Sequence, residues 1–208
     1  MNERYDVALL HVYGYKEEKC PHDAPERPNI RTRLVIAAAR EMYKRDQVGH
    51  FVFSGGPALG KSEPFSTISA DDFIRKTHIE AENVAVNPSA QVTTSKELKT
   101  LKSEASVNQW PSSVSVGWEV HKERIEILAR RILGKKTRHK VLSAEEILST
   151  YPSERNAKRY ARIIDAVHNS ESERRWQAYE KRVLPLMRLP YVPELLDFVA
   201  KVYRPKAD

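Results

Sequence analysis

The stretch DVALLHV (residues 6–12) is followed directly by Tyr13-Gly14-Tyr15, and this junction of an apolar run with a glycine turn decides the fold. Such a dense apolar run is typical of a β-strand that is buried on both faces. Helical spacing of apolar residues begins at residue 31, after a polar loop that contains three prolines. A buried strand followed by an amphipathic helix indicates an α/β protein with a parallel sheet.

The remainder of the first 150 residues repeats this alternation. Further strands are predicted at residues 50–53, 83–86, 114–117 and 139–142, and helices at residues 31–44, 66–76, 94–104, 120–133 and 144–148. We therefore expect an α/β fold, a Rossmann-like three-layer sandwich with a mostly parallel sheet and helices on both faces.

Beyond residue 150 the pattern becomes wholly helical, with helices predicted at residues 153–167, 172–187 and 193–202. We expect residues 1–150 to form the Rossmann-like domain and residues 151–208 to form a helical extension packed on it. One stripe of the middle helix is apolar, which indicates packing against the α/β core, or alternatively a homodimer contact or a lid; it consists of Trp176, Tyr179, Val183 and Met187.

Composition and charge narrow the function classes. The chain has 208 residues, and its single cysteine, Cys20, allows no intramolecular disulfide. No apolar run approaches the roughly 20 residues that span a bilayer, and the first residues lack the apolar stretch of a secretory signal, so we expect a cytoplasmic protein.

Residues 121–140 hold eight basic residues and two glutamates, which places +6 of the formal charge of +7 in one segment. This basic segment indicates a solvated helix face, or alternatively a surface for nucleic acid or another anion.

Four predicted strands end in turns that carry small or polar groups. Because open α/β sheets bind ligands outside the carboxyl ends of their strands, these turns should converge on one crevice. The turns contain Gly14, Ser54-Gly55-Gly56, Thr93-Thr94 with Glu97, and His121 with Arg124.

The tripeptide Ser54-Gly55-Gly56 predicts an anion site, because two residues without Cβ let backbone N–H groups approach a ligand. A tight strand exit without a ligand is the alternative. The surrounding sequence is neither a P-loop nor GxGxxG, and Ser54 lacks the GxSxG pattern of a hydrolase nucleophile.

Thr94 and Glu97 have the spacing of a capping box at a helix start. A helix N-terminus also offers free N–H groups, so Thr93 or Thr94 is expected either to cap alone or to cap and contact phosphate.

His121 and Arg124 are three residues apart, which on a helix places them on one face. An imidazole beside a guanidinium suits a general acid or base next to an anion-binding group. Arg33, at the start of the first predicted helix, is a further candidate for neutralising the anion. Metal ligation by His11 and the Cys20-Pro21-His22-Asp23 run is a weaker alternative, since no established ligand spacing is present.

In their order and spacing these short motifs resemble the domain-of-unknown-function family typified by YdcF, SanA and ElyC. The resemblance covers roughly the first 140 residues. Two positions depart from the family pattern, Asn87 in place of a glutamate and Glu97 in place of an asparagine. Since the sequence predicts no membrane anchor, we expect the chain to resemble the YdcF branch more than the SanA and ElyC branches. The matching motifs are the strand ending in Gly14, Arg33-Leu34, Phe53-Ser54-Gly55-Gly56, Pro88-Ser89 followed by Thr94 and Glu97, and His121-Lys122-Glu123-Arg124.

The resemblance implies a Rossmann-like fold with a pocket over the strand ends. Together with the residues, it leads us to expect a protein that binds a small anionic, phosphate-bearing or nucleotide-like ligand, an adenosyl compound included, with Mg²⁺ only as a companion of phosphate. As an enzyme it would be a hydrolase or group transferase in which His121 moves the proton. The alternatives are a ligand sensor without turnover and a nucleic-acid-binding protein that uses residues 122–140.

Overall fold

The computed structural model describes residues 3–13, 28–57, 63–89, 93–134 and 137–189. Its five strands are β1 (Tyr5–Leu10), β2 (Val48–Ser54), β3 (Val84–Asn87), β4 (Ser112–Gly117) and β5 (Arg138–Ser143). The seven helices in this part of the chain are α1 (Ile30–Lys44), α2 (Phe65–Thr77), α3 (Thr94–Val107), α4 (Lys122–Ile132), α5 (Ala144–Thr150), α6 (Glu154–His168) and α7 (Glu171–Met187).

These elements confirm the alternation that the sequence predicts. One boundary differs, because Glu119–His121 form a 3₁₀ turn and α4 begins only at Lys122. The helix predicted at residues 193–202 lies outside the described residues. The division into units at residue 150 stays a prediction.

The sheet is parallel throughout, in the order β3-β2-β1-β4-β5. β1 occupies the centre, where Val7 lies between His50 of β2 and Ser113 of β4. A central strand is covered on both faces, and this is why its sequence is an almost continuous apolar run. The α/β fold class, Rossmann-like with three layers, is confirmed.

Alternate residues of each strand face two different helix layers. Leu10, Phe51 and Phe53 belong to a core that includes residues of α1, α2, α5 and α6. Val7, Leu9 and Val52 belong to a second core, built with α3, α4 and α7. The apolar stripe of α7 lies in this second core, where Tyr179, Val183 and Met187 are buried and Trp176 is partly buried. Packing against the α/β body, the ordinary interpretation of the stripe, is therefore confirmed.

The strand order creates a switch point between β1 and β4. From β1 the chain continues into α1 on one face of the sheet, whereas from the neighbouring β4 it continues into α4 on the other face. The two connections diverge at the carboxyl ends of these strands, which is where ligands bind in open α/β sheets. Residues 11–13 and 117–121 lie at this point.

Among the helices of the described residues, none has the length and apolar character needed to cross a membrane.

Candidate functional site

A buried histidine and a buried glutamate pair at the end of β1. His11 directly follows the strand, and its Nδ1 lies 2.6 Å from Oε2 of Glu97 in the first turns of α3. Both side chains are almost fully buried, with exposed fractions of 3% and 4%. When Glu97 is ionised it can only accept, so Nδ1 of His11 donates this hydrogen bond and Nε2 is the remaining ring nitrogen. This Nε2 has no hydrogen-bond partner among the described residues.

A second histidine–glutamate pair lies at the end of β4. Nδ1 of His121 is 2.7 Å from Oε1 of Glu180, a residue of α7. The same carboxylate oxygen is 3.0 Å from Nη1 of Arg124, and Nη2 of Arg124 lies 3.2 Å from Nδ1 of His121. The expected proximity of His121 and Arg124 is confirmed, and α7 supplies the carboxylate that joins them.

The environment of His121 keeps its imidazole neutral. Burial lowers the pKa of His121 to about 4, the positive charge of Arg124 acts in the same direction, and Glu180 opposes both. The carboxylate of Glu180 accepts from Nδ1–H, so the lone pair of the neutral ring is on Nε2. A neutral histidine held by a carboxylate is suited to accept a proton.

Tyr13 packs against the second pair. Its ring stacks on the His121 ring with a centroid distance of 4.9 Å, and its hydroxyl oxygen accepts from the backbone N–H of Trp118 at 2.8 Å. The glycine at position 117 leaves room for this packing, since a Cβ there would lie 2.6 Å from Cδ1 of Ile125, 3.0 Å from Oη of Tyr13 and 3.8 Å from Cδ2 of His11. Both histidines therefore belong to the switch point.

A third buried carboxylate fastens α7 to the body of the protein. Glu173 is fully buried and accepts from Nε and Nη2 of Arg31 and from Nε1 of Trp118. Beside it, Glu145 accepts from the backbone N–H of Glu119, and burial raises the pKa of Glu145 to about 8. Residues 173 and 180 are seven apart on one helix, so both carboxylates face the sheet from the same side of α7.

Hydrogen bonds to neighbouring elements hold the Ser54-Gly55-Gly56 turn in place. The N–H of Gly55, which has a positive φ of 149°, donates to the carbonyl of Asn87, and the hydroxyl of the fully buried Ser54 pairs with that of Thr100 at 3.0 Å. The carbonyls of Gly55 and Gly56 accept from the first residues of α2. The N–H of Gly55 is therefore used by the next strand. The anion site predicted at Ser54-Gly55-Gly56 stays a prediction.

The capping box predicted for Thr94 and Glu97 is wrong. Thr93 is the N-cap, and its hydroxyl accepts from the N–H of Lys96, whereas Thr94 is the first helical residue. Glu97 reaches across to His11 instead of back to the helix start. The sequence alone does not show which of the two threonines is the N-cap. The contact with the buried His11 determines where the carboxylate of Glu97 points.

The remaining predicted site residues are Arg33 and Gly14. Arg33 is exposed on α1, whereas its neighbour Arg31 is the buried one. Gly14 and residues 20–23 lie outside the described residues. The described residues contain no group of three or more His, Cys, Asp or Glu side chains arranged to hold a metal ion.

The basic segment is partly neutralised by acidic neighbours. Lys122 pairs with Glu146, while Arg138 and Lys140 both pair with Glu3. Arg130 on α4 stays exposed. These contacts favour a solvated, internally paired face for much of the segment.

Sequence reasoning missed the partners of the two histidines. The sequence suggests only a metal-ligand role for His11, and it does not single out Glu173 or Glu180. The available signal was two glutamates at a spacing of seven beside an apolar stripe, since this places acidic groups on the face of α7 that packs inward.

The fold and the site together define the class of this protein: an α/β protein with a parallel sheet and a cluster of buried ionisable residues at its switch point. No protein-family model matches the chain. Searches of curated proteins and of solved structures also return no similar protein.

Proposed function

We propose that this protein binds a small anionic, phosphate-bearing or nucleotide-like ligand at the switch point and processes it by hydrolysis or group transfer, with His121 as the proton-transfer group. The observation that carries the proposal is the arrangement of Glu180, His121 and Arg124 at the end of β4. Membership of the YdcF-like family is part of the same proposal, because the His121 and Arg124 positions carry that resemblance.

The role of His121 follows from its protonation. A pKa of about 4 leaves the imidazole unprotonated near pH 7. Glu180 fixes the ring through Nδ1, so Nε2 is the nitrogen that can take a proton from water or from a hydroxyl group of an acceptor. As that proton arrives, the carboxylate of Glu180 and the ring form an ion pair, which stabilises the charged imidazole.

The role of Arg124 follows from its free donors. Glu180 engages Nη1, whereas the buried Nε has no partner among the described residues. A guanidinium offers five N–H groups, so a phosphate can be bound while the contact to Glu180 persists. The N-termini of α1, α3 and α4 lie at the same sheet edge and add positive dipole ends.

The first test is a binding screen against inorganic phosphate, nucleotides, adenosyl compounds and sugar phosphates, with and without Mg²⁺. A ligand at 100 times its dissociation constant should stabilise the protein by about 2.7 kcal/mol, which thermal unfolding detects. Arg124→Ala should abolish this shift. Arg130→Ala is the matched control, since it removes one positive charge from an exposed site of the same helix.

The outcomes separate the candidate functions. Loss of binding in Arg124→Ala alone supports the proposal, and equal binding by both variants overturns it. Equal weakening by Arg124→Ala and Arg130→Ala, together with a steep salt dependence, would instead indicate a nucleic-acid surface. Once a ligand is found, His121→Gln should retain binding and form no product; a wild-type protein that binds without turnover would be a sensor.

A further inference from the structure

A cavity of about 400 Å³ lies at the amino ends of β2 and β3, at the edge of the sheet opposite to the switch point. Its volume falls in the range of roughly 300–1,000 Å³ that is usual for small-ligand sites. We call it the amino-edge cavity. The polar and aromatic side chains that line it are His50, Glu82, Asn83, Glu104, Asn108 and Trp110.

Two residues that are distant in sequence form an aromatic wall of this cavity. His50 of β2 is two residues before the buried Val52, so both side chains face α3. At the end of α3, Gln109 is left-handed with a φ of 55°, and the N–H of Trp110 donates to the carbonyl of Ala105. This turn brings the Trp110 ring onto the His50 ring, with a centroid distance of 4.8 Å and an interplanar angle of 27°. The sheet and the helix end therefore both hold the stacked pair.

The amino-edge cavity is negatively charged. Glu82 and Glu104 line it, and the described part of the lining contains no lysine or arginine. Neither glutamate forms an ion pair with a described residue, and Lys102, on the same helix as Glu104, donates to the carbonyl of Ile132 instead. The carboxyl end of α3 also lies here, and the helix dipole makes that end negative. In a chain with a net charge of +7, this cavity is a local site that favours a cation.

The lining also indicates which kind of cation fits. A tryptophan ring attracts a cation to its face and packs against the alkyl groups that an organic cation carries. Asn108 donates through Nδ2 to the carbonyl of Glu104, which leaves its Oδ1 as an acceptor. An ammonium group has three donors and no acceptor, so it matches carboxylates and an amide oxygen.

We propose that the amino-edge cavity binds a small organic diamine, with ammonium groups at Glu82 and Glu104 and the alkyl chain on Trp110. Two carboxylates match two ammonium groups, and the aromatic wall matches the carbon chain between them. The site lies at the other edge of the sheet from His121 and Arg124. The inference therefore goes beyond the proposed function and does not depend on it.

The experiment is titration calorimetry on the full chain at low ionic strength with two probes, cadaverine and the linear diol of the same length. The diol carries a hydroxyl group in place of each ammonium group. Wild-type protein should bind cadaverine and should bind the diol at least about tenfold more weakly, because the charge-assisted hydrogen bonds and the cation–π contact are lost.

Four variants locate the binding site. Glu104→Gln should weaken cadaverine binding about tenfold, since Glu104 is partly buried, and Glu82→Gln about threefold, since Glu82 is exposed. Glu80→Gln is the matched control, because it removes the same charge from an exposed site that lies two residues from Glu82 and outside the lining. It should leave the affinity unchanged. Trp110→Leu keeps an apolar side chain and should weaken binding about fivefold.

Three results would overturn the inference: no binding of cadaverine by wild-type protein, equal binding of the diol, or equal weakening by Glu80→Gln and Glu104→Gln. The last result would show an adventitious attraction of cations to a negative surface. Circular dichroism of each variant checks that a loss of binding is not a loss of folding. Arg124→Ala should bind cadaverine as wild type does, and Glu104→Gln should bind phosphate as wild type does, so this inference and the proposed function fail separately.

Discussion

The two halves of the sheet's carboxyl edge are built differently. At β2 and β3, neutral groups close the turn among themselves, as the Ser54 hydroxyl pairs with Thr100 and the Gly55 N–H with Asn87. At β1 and β4, ionisable side chains are buried, and Nε2 of His11, Nε of Arg124 and Oε2 of Glu180 have no partner among the described residues. Satisfied neutral groups stabilise a fold, whereas buried polar atoms without a partner are costly, and a cluster of them is a candidate functional site.

The helix α7 accounts for much of this difference. It packs over the second core and contributes Glu173 and Glu180, each to one buried cation of the α/β body. Without α7 the cations Arg31 and Arg124 would lose their buried carboxylate partners. The switch point is therefore assembled from the α/β layers and a helix that follows them in sequence.

Removal of the Glu173 carboxylate should have the largest effect. Glu173→Ala leaves Arg31 buried without its partner and should lower the free energy of unfolding by about 3–5 kcal/mol, measured by urea denaturation. Glu171→Ala, on the same helix, removes an exposed surface pair with Arg175 and should cost no more than about 0.5 kcal/mol. Equal effects of the two variants would contradict the conclusion that the buried ion pair of Glu173 and Arg31 is costly to break.

Acidification should lower the free energy of unfolding through His121, which lies at the end of β4. Its pKa is about 4 in the folded protein against 6.5 as the ordinary value, so the unfolded chain binds the proton more readily. The contribution of the neutral ring is present above pH 6.5 and is lost as the pH falls toward 4. Because each pKa unit corresponds to about 1.4 kcal/mol, the loss should be about 3 kcal/mol across this window.

The measurement is the difference in unfolding free energy between wild type and His121→Gln at several pH values. This difference cancels the opposite trend of Glu145, whose raised pKa of about 8 makes stability fall as the pH rises from 4.5 to 8. A difference that stays constant from pH 7 to pH 4 would show that His121 is not held neutral by burial.

The smallest effect is expected on the β2 side. Ser54→Ala removes one neutral hydrogen bond, and the Thr100 hydroxyl keeps its contacts with Asn87 and the carbonyl of Lys96, so the cost should be about 0.5–1.5 kcal/mol. Ser115→Ala is the matched control, since Ser115 is equally buried and its hydroxyl has no partner among the described residues; this change should be close to neutral.

The ligand screen sharpens the same contrast. Ser54→Ala should leave phosphate binding unchanged, because its hydroxyl is directed to Thr100 and not to the crevice. Loss of binding in this variant would show that the anion binds at the β2 turn. It would contradict the proposal that anionic ligands bind only at the β1 and β4 half of the sheet's carboxyl edge.

The sequence by itself determined the layers of this protein. The buried run at residues 6–12 identified a strand covered on both faces, and the helical spacing of apolar residues identified the crossover helices, because both patterns are local consequences of which face is covered. The proximity of His121 and Arg124 was predicted for the same reason, since three residues of a helical turn separate them.

Only the tertiary structure decided the partners. Glu97 pairs with His11 across 86 positions and Glu180 with His121 across 59, and no local pattern encodes contacts between residues so distant in sequence. The same reason explains why the capping box is wrong, because the sequence places Glu97 beside its helix start while its hydrogen bond goes to the end of β1. The contact of Gly55 with β3 is equally invisible in the local sequence. Burial forces each polar group to find a partner, and the packing of α3 and α7 on the sheet determines which one it finds.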